Sequence, residues 1–160
     1  MIQNEYKVTR KLFMAWGLEN AFKGSQLAFS IIYLALAILM LVLEGINIIT
    51  GLLIAFCAYR ALLRWYVVSN GQYRRLVKNH NSADWMRTIS FGENEITIDE
   101  SAISLKYQYA DIISIKEKGN KVWLTARDKT VIRLYKDCFK NGTWEGCKAH
   151  IAKRAPGAVK

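Results

Sequence analysis

Two stretches of this chain carry no charge at all: residues 24–43 hold no Asp, Glu, Lys or Arg, and neither do residues 45–59. Residues that do chemistry are also scarce. There are three cysteines, Cys57, Cys138 and Cys147, and two histidines, His80 and His150. An odd number of cysteines with no C-x-x-C spacing argues against a disulfide framework, and fits small apolar packing residues in a reducing cytoplasm. Neither histidine sits in a metal-ligand spacing such as H-E-x-x-H, and no G-x-S-x-G, phosphate loop or dinucleotide fingerprint is present. Asp99-Glu100 reads as a turn. His150, near the end of a helix, reads as a partner of the helix dipole. Neither enzyme activity, a metal nor a cofactor is expected.

What is present is unevenly spread. The chain is 52% apolar, with a dense block in the first half and alternation in the second. Its net charge of +10 is equally local. Residues 60–87 hold six Lys or Arg against Asp84 alone, directly beside the apolar block, where a membrane protein keeps its cytoplasmic cations. No nucleic-acid recognition motif accompanies that charge, so topology is the preferred explanation and no nucleic-acid partner is expected.

The twenty residues 24–43, GSQLAFSIIYLALAILMLVL, would make a helix about 30 Å long, the thickness of the hydrocarbon core. A short turn, Glu44-Gly45-Ile46-Asn47, leads into a second apolar run. Its charge-free part is short for a span, but Arg60 and Arg64 lie four apart on one helix face and can snorkel to the headgroups. Trp65 and Tyr66 mark the same interfacial depth, so the second span covers residues 46–68. The pattern predicts a two-helix transmembrane hairpin over 24–68, with Lys7, Arg10, Lys11 and Lys23 on one flank and Arg60, Arg64, Arg74, Arg75 and Lys78 on the other. Both termini are then cytoplasmic. The cations of the second flank are expected to hold the chain against the anionic inner leaflet of the bilayer, at about 1 kcal/mol each. Ser30, Asn47, Thr50 and Cys57 read as helix–helix contacts, worth about 0.6 kcal/mol for a membrane hydrogen bond. Gly51 and Ala55 form a small-xxx-small pair suited to close packing by the first helix or by a second copy of the chain. No ionisable group lies mid-span, which weighs against a transport pathway.

Residues 1–23 read as an N-terminal interfacial segment, with a helix over 9–23 capped by Thr9 and turning Phe13, Trp16 and Phe22 to the interface. Residues 69–87 read as a linker with a helical turn or two around Tyr73–Lys78. From residue 88 the period becomes two, with runs at 88–91, 95–98, 104–109, 111–117, 122–126 and 130–135, rich in Ile, Val, Thr and Tyr and separated by turn residues. Alternation such as Ser104-Leu105-Lys106-Tyr107 predicts one buried and one wet face. Thr143 then caps a helix in which Trp144, Cys147 and Ile151 share a face. The expected fold is membrane α+β: the hairpin, then over 88–154 a small antiparallel β half-barrel closed by a C-terminal helix. Residues 84–160 are expected to fold alone.

The segments TISFGENEITI and YQYADIISIKEKGNKVWLTARDKTVIRLYKDCFKNGT resemble the C-terminal domain of the YcxB-like bacterial membrane proteins. The resemblance rests on the Phe91 and Ile96-Thr97-Ile98 opening, the strand through Tyr109, Ile112, Ile115 and Glu117, the Gly119-Asn120 hairpin, and Leu134-Tyr135-Lys136 with Phe139-Lys140-Asn141-Gly142 before the helix. It implies two transmembrane helices ahead of a pleckstrin-homology-like cytoplasmic domain, at the bacterial inner membrane, and no settled activity. A phosphoinositide site would need cations in the first hairpin loop, and that loop is Gly92-Glu93-Asn94-Glu95. The preferred function is a membrane-anchored scaffold that binds a protein partner; the alternative is an immunity protein against a membrane-acting toxin or peptide, and a small channel or transporter subunit ranks last.

Overall fold

The computed structural model describes residues 1–21, 25–101 and 103–158. The chain divides into a helical unit, Thr9–Ala83, and a β unit made of Met1–Val8 together with Asp84–Lys160.

In the helical unit α1 runs Arg10–Ala21, and Thr9 caps it as expected, its Oγ1 accepting from Leu12 N at 3.3 Å. Phe22, Lys23 and Gly24, which the sequence places at the interface and the start of the first span, lie outside the described residues. α2 covers Ser25–Glu44 and α3 covers Ile48–Ala58. Between them Gly45 takes φ +66, the left-handed conformation that ends a helix at little cost in glycine. Asn47 opens α3 with a reciprocal capping box: its side chain accepts from Thr50 N while Thr50 Oγ1 accepts from Asn47 N, both at 2.9 Å. Asn47 and Thr50 therefore close the turn rather than bond α2 to α3. Ser30 also stays local, donating to Gln26 O one turn back.

α3 passes through a π-helical turn, Tyr59–Leu63, into α4, Arg64–His80. The linker expected over 69–87 is thus helical as far as His80, and Asn81 at φ 49 ends it. The reason is packing. Ser69, Tyr73 and His80 are buried along one stripe of α4, which meets α1. Phe13 stacks 5.8 Å from Tyr73, and a Cβ on Gly17 would stand 2.0 Å from Ser69 Oγ. Phe13 and Trp16 consequently turn onto α4 instead of lying free at an interface; Trp16 is buried. Elsewhere the helices expose their apolar side chains. Ala37 is the one buried residue of α2, and α2 and the continuous helix Ile48–His80 are each long and apolar enough to cross a membrane.

Among its described residues the β unit holds two antiparallel sheets and no closed barrel. The strands are β1 (Ile2–Val8), β2 (Trp85–Phe91), β3 (Glu95–Glu100), β4 (Ile103–Gln108), β5 (Ile112–Lys118), β6 (Lys121–Ala126), β7 (Val131–Tyr135) and β8 (Phe139–Asn141), followed by helix α5 (Trp144–Arg154). One sheet has the order β4-β3-β2-β1-β8 and the other β5-β6-β7. All six expected runs are strands, and Thr143 caps α5 by accepting from Gly146 N.

The first strand is the main departure. β1 pairs with β2 along its whole length, from Ile2 opposite Phe91 to Val8 opposite Trp85, and is an interior strand. Residues 1–8 are therefore part of the β unit, outside the 84–160 segment that the sequence marks as able to fold alone. Asn4, fully buried, shows how β1 reaches the second sheet: its Nδ2 donates to Tyr135 O at 2.6 Å and its Oδ1 accepts from Tyr135 N at 3.4 Å. A side-chain amide here does the work of a strand backbone for β7. Val8, Ile89, Phe91, Ile96, Val122, Leu124, Ile132 and Leu134 form the core, and Cys147 and Ile151 of α5 are fully buried. Each such side chain contributes about 1.5–3 kcal/mol of burial.

Candidate functional sites: an edge strand and a cationic cleft

β4 pairs with β3 and ends the five-stranded sheet, so among the described residues its other edge has no strand beside it. Register places Ile103, Leu105 and Tyr107 opposite Glu100, Ile98 and Ile96, whose side chains are buried. The apolar face of β4 thus continues the core face of the sheet. Yet Ile103 is 38% and Leu105 47% exposed. The alternation in β4 is real, but the face it prepares for burial is uncovered.

α5 is fastened to the β unit by charge. Glu117 accepts from Trp144 Nε1 at 2.9 Å and pairs with Lys136 and Lys148, each at 2.7 Å. Those lysines, Lys136 foremost, lower its carboxyl from 4.5 to about 2. At the other end of the helix His150 does more than meet the dipole. Arg154 Nη1 approaches its Nδ1 at 3.2 Å, so Nε2 carries the proton and donates to Gly92 O at 2.9 Å, where the Tyr109 hydroxyl also donates, at 2.8 Å. Burial pushes the Tyr109 hydroxyl up to about 12. The acidic first hairpin loop therefore has cations beside it after all. Lys153 and Arg154 come from α5 and, with Glu93 and Gln108, line an open groove of about 570 Å³. That supply from some sixty residues away has no local sequence signal. Burial raises the thiols of Cys138, to about 11, and Cys147, to about 12, the opposite of an activated nucleophile.

No protein-family model, curated protein or solved structure matches the chain.

The helical unit contains a second site. Arg60 donates from Nη2 to the Tyr33 hydroxyl at 3.3 Å and lies 5.1 Å from the centre of its ring. Arg64 donates from Nη1 to Gln26 Oε1 at 3.3 Å. Both arginines, expected to snorkel to the headgroups, hydrogen-bond side chains of α2. With Ser30, Trp65 and Gln72 they line a cleft of about 290 Å³. Tyr66, edge-on to Trp65 at 5.9 Å, is exposed. Arg74, Arg75 and Lys78 are exposed on α4 and are not brought to the cleft. Gly51 and Ala55 are exposed, and nothing lies within 4 Å of a Cβ on Gly51. They face away from α2; Thr50, Cys57 and Ala61 are the buried residues on this side of the hairpin.

Proposed function

We propose that this chain is a membrane-anchored, non-enzymatic interaction module whose β unit binds an extended segment of a protein partner along β4. The observation that carries the reading is the uncovered apolar face of that edge strand: Ile103 and Leu105 stand in register with the core face yet are largely exposed. An added strand satisfies the free backbone groups of the edge and covers those side chains with its own alternate residues. Left bare, the same edge is an aggregation hazard, and Lys106, paired to Glu95 at 2.7 Å, blunts it on one face only.

The anchor is the hairpin of α2 with the helix Ile48–His80. Its surface supports this role: Ile38, Val42, Ile49, Leu52 and Phe56 are all more than half exposed, far beyond the apolar patches tolerated in water. β1 and β2 are neighbours in one sheet and flank the helical unit in sequence, which favours an even number of crossings. The basic flanks favour the cytoplasmic face of a bacterial inner membrane. Two sheets of three consecutive strands each, β2–β4 and β5–β7, followed by a helix support the pleckstrin-homology-like, YcxB-like resemblance, with β1 and β8 as additions to it.

Site-specific photocrosslinking in cells tests the partner. A photo-reactive residue at Ser104, Leu105 or Lys106 should capture one protein, through an extended peptide, and Leu105→Lys should abolish that capture. A probe at Lys129, in the β6–β7 turn, should capture none of it. Equal capture from both places, or capture insensitive to Leu105→Lys, would sink the edge reading; a crosslink to the chain's own β4 would replace the partner by a second copy.

A further inference from the structure

We infer that the cleft beside the π turn is a discrete site for the phosphate group of an anionic phospholipid, held by Arg60 and Arg64. This rests on the membrane reading above and goes beyond diffuse attraction to a charged leaflet. Three observations carry it. First, the two guanidiniums are uncompensated: among the described residues neither has a carboxylate partner, and no Asp or Glu lines the cleft. Their acceptors, Tyr33 and Gln26, are neutral. Second, Arg60 Nε is shut off from solvent with no acceptor among the described residues. A buried donor on a charged group costs the full desolvation of that group unless an acceptor reaches it. Each guanidinium offers five N–H donors in a fork that matches phosphate oxygens. Third, the neighbouring lobe of the cleft, also about 290 Å³, is lined by Phe29 and Tyr33 as well as both arginines. The phosphate donors thus stand next to apolar surface on which an acyl chain can lie. The volume suits a headgroup fragment and is at the small end for a larger ligand.

The π-helical turn explains why these side chains fold inward. Within it Arg64 N bonds Tyr59 O, five residues back, so the helix is widened where Arg60 sits, a feature frequent at functional sites. Exposed Arg74, Arg75 and Lys78 would meet the leaflet only as mobile surface charges.

The test uses the full chain in detergent micelles, with lipids counted by native mass spectrometry. Phosphatidylglycerol should be retained one per chain in preference to phosphatidylcholine. Replacing Arg60 or Arg64 with Gln should weaken that retention by about fivefold for each cation removed. The double variant Arg74→Gln/Arg75→Gln removes two charges, more than either single variant, and should leave it unchanged. Because Arg60→Gln could loosen the hairpin, the wild-type competition between the two lipids stands as a second measurement. Equal retention of both lipids, or equal loss in the Arg74/Arg75 variant, would overturn a discrete site. Thermal stabilisation by inorganic phosphate alone would reassign it to a soluble phosphate and overturn the lipid. Alkaline carbonate extraction of cell membranes separates the two readings. A chain released from the membrane ends the anchor itself, whereas a chain retained without lipid selectivity ends only the site.

Discussion

The β unit and the helical unit obey the same hydrophobic rule with opposite results. In the β unit large apolar side chains point inward: Ile89 and Leu124 are completely buried. In the helical unit the buried positions of α2, α3 and the π turn are Ala37, Thr50, Cys57 and Ala61, all small, while Ile38 is 64% and Val42 74% exposed. Close approach of small residues with large ones facing out is how helices associate when the surroundings are as apolar as leucine. On the reading proposed above, one unit is built against water and the other for lipid. The difference separates what holds each together: apolar burial and cross-strand pairing in one, caps, close helix contacts and two arginine bonds in the other.

The largest test of that division is to separate the units. Deleting residues 1–8 removes an interior strand and the Asn4 bridge to Tyr135, so the β unit should lose its cooperative unfolding transition by circular dichroism. Residues 84–160 alone should behave the same way. Joining residue 9 to residue 84 by a short turn, without the helices, should restore a soluble fold, since Val8 and Trp85 already face each other in register. A folded 84–160 fragment would show that β1 is dispensable and return the boundary to where the sequence first placed it.

Next in size are matched core substitutions. Leu124→Ala should destabilise the β unit by about 2–5 kcal/mol through lost burial and a cavity. Ile38→Ala, on an exposed face of α2, should leave stability within about 0.5 kcal/mol in micelles. Comparable losses at both sites would mean that α2 is packed against something in solution, and the lipid-facing reading would fail.

Much of this plan was legible before the structure. Six strands, the Thr143 cap and the buried face of Trp144, Cys147 and Ile151 follow from period and cap chemistry. β1 escaped because Ile2-Gln3-Asn4-Glu5-Tyr6-Lys7-Val8 alternates around a buried Asn, and its partner strand begins more than seventy residues later. The continuity of α4 escaped because its buried stripe is Ser69, Tyr73 and His80, too polar to stand out as periodic. The arginine partners were half visible. In an antiparallel hairpin, residues equidistant from the turn meet, and Gln26 and Arg64 lie nineteen residues either side of Gly45. Nothing local, however, indicates that Arg60 folds inward, because that depends on the π turn.

A smaller effect distinguishes how the β unit uses charge. The Glu117 carboxylate is stabilised in the fold, so its contribution is present above its ordinary value near 4.5 and is lost as pH falls towards about 2. Glu117→Gln should cost about 1–2 kcal/mol at neutral pH, given partial exposure, and should flatten the acid limb of stability between those values. An unchanged acid limb would show that Lys136 and Lys148 do not hold α5 through this side chain.

The smallest effect is expected at Gly51, and it bears on the helical side of the comparison. Two glycines there look alike in sequence and differ in surroundings: a Cβ on Gly17 collides with Ser69, whereas one on Gly51 meets nothing. Gly51→Leu should therefore change the stability of a single chain by no more than about 0.5 kcal/mol. A loss above about 1 kcal/mol would mean that α2 packs on this face, contrary to the seam through Thr50, Cys57 and Ala61. If the single chain is unaffected but a crosslinked dimer disappears, the Gly51–Ala55 face is where a second copy docks. A small-xxx-small pair facing lipid is only an opportunity for close approach, and this substitution shows whether any helix takes it.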